Sequence, residues 1–157
     1  MMSVIIYIMS RILSIMEPDM SFRETSAWIT LVSVALCFGI YFGALATGLV
    51  HVPSLEVLHL LLACVVGLVA LQVGLHALAA RLTPAADRAL ADEREALIQM
   101  RARSIGYYVL MVGVLALAIP GHMEISKIDL LNFALLDLVI ATFVVAAAQI
   151  VMFRRSL

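Results

Sequence analysis

Charged side chains are scarce in this sequence. Asp, Glu, Lys and Arg make up 13% of its 157 residues, roughly half the share of a soluble domain. That deficit excludes a surface that meets water everywhere, and the 64% of hydrophobic residues exceed what one soluble core of this length can hide. The surplus needs lipid. Cysteine is almost missing: Cys37 and Cys64 each fall inside an apolar run with no second Cys or His at metal-ligand spacing, which excludes a disulfide framework and a zinc knuckle. The chain has no Gly-rich phosphate loop, no HExxH and no paired thiols of the kind used by disulfide-forming membrane reductases. It also has no Asp-rich run of the lipid-headgroup transferases, and no Ser or Cys nucleophile with an evident base. No catalytic residue, no metal and no cofactor is expected, and no nucleic acid among the partners.

What is present is a set of long apolar runs. A helix needs about 20 mostly apolar residues to cross about 30 Å of hydrocarbon, because nothing there satisfies an exposed peptide group. Residues 27–50, 57–80 and 130–153 qualify without a single Lys or Arg. A fourth run, 105–120, is shorter; Tyr107 and Tyr108 near its start suit the headgroup layer, and the segment before it can lengthen it. Pro53 and Pro120 stand where helices should begin or end, with Gly121 as a terminator. The fold class expected is an all-α bundle of four transmembrane helices spanning residues 26–157.

Basic residues are held back from translocation, so their distribution orients the bundle. Arg11 and Arg23 precede the first run, Arg81, Arg88, Arg94, Arg101 and Arg103 lie between the second and third, and Arg154 and Arg155 follow the last. The opposite side carries Lys127 alone. An even number of spans with both termini in the cytoplasm satisfies this. Residues 1–25 form an N-terminal segment. Its apolar start is interrupted by Arg11 and followed by Glu17, Pro18 and Asp19, with neither a basic beginning nor a cleavage site, which argues against a secretory signal. It reads either as an amphipathic helix in the headgroup layer or, preferably, as an extension upstream of a natural start at Met20.

Between the second and third runs, residues 84–103 carry helix signals: Thr83 as N-cap, Pro84 at the first position, Asp87 near the positive end of the dipole, Arg101 and Arg103 late. Leu90, Leu97 and Ile98 with Ala86 make a modest apolar stripe. Within this helix only Arg88 and Asp92 meet the spacing for a stabilising ion pair. Glu93, Arg94, Glu95, Arg101 and Arg103 are therefore solvated or pair elsewhere: with Glu24, Arg81, Arg154 or Arg155, with anionic lipid, or with a second protein. Together with Asp92 they are the candidate partner-binding set. The string Asp92-Glu93-Arg94-Glu95, followed by Leu97, Ile98, Arg101 and Arg103 between two pairs of apolar runs, resembles a segment of small uncharacterised bacterial inner-membrane proteins with four predicted helices. The resemblance covers 20–157. It implies the same topology in a bacterial cytoplasmic membrane and brings no activity with it.

An ionisable residue within a span is a site hypothesis by default. Asp137 lies about two turns inside the outer end of the fourth run, and His59 sits at a similar depth in the second. A hydrogen bond between them across the bundle is expected; the alternatives are a neutral Asp137 donating to a backbone carbonyl, or one facing a wet cavity. Only His59 is placed for half of a bis-imidazole haem site, since His76 lies near the inner end. His51, His59 and His122 with Glu124 come from three segments near the outer surface, a weak basis for a metal site. Gln72 and Gln149 read as interhelical links, and Gly39 with Gly43, Ala63 with Gly67 and Ala70 with Gly74 as small-residue packing surfaces that bring the first two helices together or meet a second copy. Three classes of function follow: a non-enzymatic scaffold or accessory subunit engaging a cytoplasmic protein or membrane complex, a proton- or cation-coupled transporter built on Asp137, and, weakest, a redox protein.

Overall fold

The computed structural model describes residues 22–50, 54–83, 93–123 and 125–155. The expected N-terminal extension, Pro53, the Arg88–Asp92 pair and the beginning of the helix placed at 84–103 lie outside them. Every regular element among the described residues is a helix: α1 (Phe22–Ala46), α2 (Leu55–Leu82), α3 (Glu93–Ala116), the short α4 (Ala118–His122) and α5 (Lys127–Arg155). Four helical stretches are long and apolar enough to cross a membrane, the third running from Glu93 through His122.

Helix ends differ from the apolar runs for local reasons. The first run reaches residue 50, but α1 stops at Ala46, because Gly48 adopts a left-handed φ of 69°. Its N–H bonds Leu45 O at 3.2 Å while Leu49 N–H bonds Ala44 O at 3.1 Å, the paired bonds of a Schellman termination that only glycine accepts without strain. At the other end α1 begins at Phe22 and takes Arg23 and Glu24 into its first turn. Thr83, expected to start a helix, closes α2 instead: both its N–H (3.0 Å) and its hydroxyl (2.9 Å) donate to Ala79 O. Residues 93–103 and the third apolar run form one helix. That helix breaks after Ala116, four residues before Pro120, whose ring lacks an N–H and crowds the carbonyl one turn back. Ser126 opens α5, its hydroxyl accepting the Asp129 N–H at 3.2 Å and donating to Asp129 Oδ2 at 2.7 Å.

The central pair is α1 and α5; α2 packs on α1 and α3 packs on α5, and α2 and α3 share no extensive contact among the described residues. Val34, Phe38 and Tyr41 of α1 meet Val57 and Cys64 of α2 in the main cluster, bordered by Leu135 and Val139 of α5. Both cysteines are buried free thiols. The flanks of α2 and α3 stay open, with Leu62, Val66, Val73, Val112 and Leu115 all more than half exposed. Such apolar surfaces suit contact with hydrocarbon.

The small residues expected to join the first two helices do not do so. A side chain built at Gly39, Gly43, Gly67 or Gly74 would meet nothing within 4 Å, and Ala46, Ala63 and Ala70 are exposed as well. Close approach occurs between α3 and α5. A Cβ at Gly106 would run into the Val145 side chain and reach Ala141 O at 3.5 Å, and Ala102, one turn earlier on α3, is completely buried. Without a hydrophobic drive between helices in lipid, packing of this kind holds them together. Gly106→Ala should therefore cost about 1–3 kcal/mol by overpacking, whereas Gly67→Ala should be neutral or stabilising by up to about 1 kcal/mol; detergent-denaturation midpoints of the two variants check this.

Candidate functional site

Antiparallel succession gathers the beginning of α1, the end of α2, the beginning of α3 and the end of α5 at one end of the bundle. Arg23, Arg81, Arg94, Arg101, Arg103, Arg154 and Arg155 all lie there, while Lys127 is at the other. The first turns of α1 tie this end together. Arg23 Nε meets Glu95 Oε2 of α3 at 3.1 Å. The next residue, Glu24, is buried, and its Oε1 takes Arg154 Nε of α5 at 3.4 Å. Arg154 also lies over the Trp28 ring, 5.6 Å from its centroid, where the guanidinium meets the negative face of the indole. Ser26 completes the set with a 2.8 Å hydrogen bond to Nε2 of His76 on α2. Nδ1 of that ring is 2.8 Å from Gln72 O, which can only accept, so Nδ1 donates and, in the neutral ring, Nε2 accepts the Ser26 hydroxyl.

Four residues within two turns of α1 thus reach all three other long helices. Glu24 and Arg154 were among the charges expected to pair with the α3 set, and they pair with each other. Glu95, placed in the partner-binding set, has an internal partner in Arg23. Asp92 lies outside the described residues. Glu93, Arg94, Arg101 and Arg103 are exposed and have no ion pair or hydrogen bond among the described residues. They divide between two faces of α3. Arg94, Leu97, Arg101 and Ile105 recur at spacings of three and four and border a groove against α5. Glu93, Met100, Arg103 and Tyr107, at spacings of seven, three and four, share a face turned away from that groove, where Met100 is 64% and Tyr107 60% exposed.

The His59–Asp137 bond is not formed. Asp137 lies half-buried between α5 and α3, its carboxyl resting where a Cβ on Gly113 would stand, while His59 is exposed on α2. The reason is the side of α5 on which Asp137 sits: Leu135 and Val139 border the cluster formed by α1 and α2, whereas Asp137 faces Gly113 of α3. Nor do the Gln72 and Gln149 side chains hydrogen-bond across helices among the described residues. The uncharged side-chain hydrogen bonds between helices among the described residues are Ser26–His76 and, at the opposite end, Tyr41, which is fully buried and donates to Asn132 Oδ1 of α5 at 2.7 Å. His122 Nδ1 bonds its own helix at Ala118 O (2.7 Å), and His51 and Glu124 lie outside the described residues. Tyr41 and Asn132 carried a legible signal, a hydroxyl and an amide within apolar runs, where lipid leaves them no partner but each other.

Arg154→Ala removes both a partner of buried Glu24 and the cation over Trp28, and should cost about 2 kcal/mol and shift the Trp28 fluorescence maximum. Arg155→Ala, at an exposed arginine with no ion pair or hydrogen bond among the described residues, should stay within about 0.5 kcal/mol and leave the emission unchanged. Chemical unfolding of both variants in micelles, followed by that single tryptophan, is the check. No family profile, curated protein or solved structure matches this chain.

Proposed function

We propose that this chain is a non-enzymatic scaffold or accessory subunit of a bacterial cytoplasmic membrane, with both termini and the arginine-rich end in the cytoplasm, engaging a protein partner through the free face of α3. The observation that carries the reading is the division of charge at that end. Arg23, Glu24, Glu95 and Arg154 are engaged in holding the bundle together, whereas Glu93 and Arg103, with Met100 between them, stand exposed on a face that packs on nothing among the described residues. At 1.5 Å per residue the 30 residues from Glu93 to His122 extend about 45 Å, some 15 Å more than the hydrocarbon needs. That excess is enough to carry this face into the headgroup layer and beyond. The orientation rests on the arginines, seven at one end against Lys127 at the other.

Asp137 favours a second reading. It is a carboxyl inside a span with no hydrogen bond or ion pair among the described residues, as a proton- or cation-coupled transporter would require. It borders neither the groove between α3 and α5 nor the one lined by Phe42, Asn132 and Leu136. Asp137→Asn would then abolish coupled flux in reconstituted vesicles, and unaltered flux removes this reading.

For the scaffold reading, full-length protein is purified from gently solubilised membranes beside a Glu93→Ala/Met100→Ala/Arg103→Ala variant, which leaves the Arg23–Glu95 pair intact. A defined protein that co-purifies stoichiometrically with the wild type should be missing from the variant; identical co-purifying proteins, or none, would refute the reading. Topology has its own test. With Cys37 and Cys64 replaced by Ala, an impermeant thiol reagent should label Ser126→Cys in intact cells and Arg103→Cys only after the membrane is opened.

A further inference from the structure

Along the boundary of α3 and α5 runs an open trough of about 730 Å³. It exists because Ala102 and Gly106 draw the two helices together on one side, leaving the small side chains of Ala147 and Ala148 facing a gap on the other. Its floor is hydrocarbon, including Ile105, Phe143 and Val151. Three arginines also line it, Arg94 and Arg101 from α3 and Arg155 from α5. All three are exposed, and none has an ion pair or hydrogen bond among the described residues; the neighbouring carboxylate Glu95 is engaged by Arg23.

We propose that this trough seats one anionic diacyl phospholipid of the leaflet at the arginine-rich end, with its phosphate between Arg94, Arg101 and Arg155 and an acyl chain along the floor. The dimensions select this occupant. From Phe143 to Arg155 the trough follows α5 for about 18 Å at 1.5 Å per residue, the depth of one leaflet's hydrocarbon, about 15 Å, plus the start of the headgroup layer. Charge selects it too. Guanidiniums bind phosphate oxygens through paired N–H donors, and basic pockets between spanning helices at the cytoplasmic side favour anionic headgroups. A partner helix would find an apolar floor but leave three cations uncompensated, and free phosphate would leave the floor bare. The site uses a different face of α3 from the protein-docking surface proposed above and does not depend on it.

The test is native mass spectrometry of the full chain released from micelles doped with phosphatidylglycerol, phosphatidylcholine of the same acyl chains, or inorganic phosphate alone. One phosphatidylglycerol per chain should be retained about tenfold over phosphatidylcholine, and most of that preference should be lost in Arg94→Gln/Arg101→Gln. The charge-matched variant Arg81→Gln/Arg103→Gln, outside the trough, should keep the preference. Ala148→Leu, which fills the floor and spares the arginines, should weaken retention of the lipid. Equal losses from the two arginine pairs would mean a diffuse surface charge and overturn the proposal. So would equal retention of phosphatidylcholine, retention of inorganic phosphate in place of lipid, or indifference to Ala148→Leu.

Discussion

The bundle depends on the first two turns of α1. In hydrocarbon, burying apolar surface does not drive helices together, since lipid tails are as apolar as leucine; association is left to packing, hydrogen bonds and ion pairs. Arg23, Glu24, Ser26 and Trp28 supply these at one point of the chain and aim them at three different helices. Ion pairs here are weaker than in a dry interior, because Arg154 and Arg23 keep part of their surface in contact with solvent or headgroups. Their value is geometric: they fix the order and register of α2, α3 and α5 around α1. Tyr41 and Asn132 repeat the device at the far end, so that the central α1–α5 pair is held at both ends.

Once that pair is set, the asymmetry of the bundle follows. α2 and α3 lie on opposite flanks and each keeps most of its surface for lipid. The approach of α3 to α5 relies on the absence of side chains at Gly106 and Gly113, the second of which also makes room for the Asp137 carboxyl. The same close approach that buries Ala102 opens the trough beside it, so the packing of one helix pair creates both a close contact and an open groove.

Much of this was legible in the order of residues. The four spans, the concentration of arginine at one end and the fusion of residues 93–103 with the third apolar run all express long-range composition, which a hydrocarbon slab reads directly. The helix ends were less legible. Gly48 stops α1 within an apolar run by backbone conformation, and Thr83 faces back into α2 although its sequence context also suits a helix start.

Sequence alone determined which segments enter the membrane and that their charges collect at one end, because both depend on summed transfer free energies that are insensitive to neighbours. Only the tertiary structure decided who meets whom. Gly39 with Gly43 is a stronger packing motif than Ala102 with Gly106, yet both glycines of that pair face outward. His59 and Asp137 share a depth, yet Asp137 turns to α3, away from the face of α5 that borders the α1–α2 cluster. Depth along a helix is a one-dimensional property that spacing reveals; the azimuth of a face, and the order of helices around α1, arise from contacts between residues far apart in the chain.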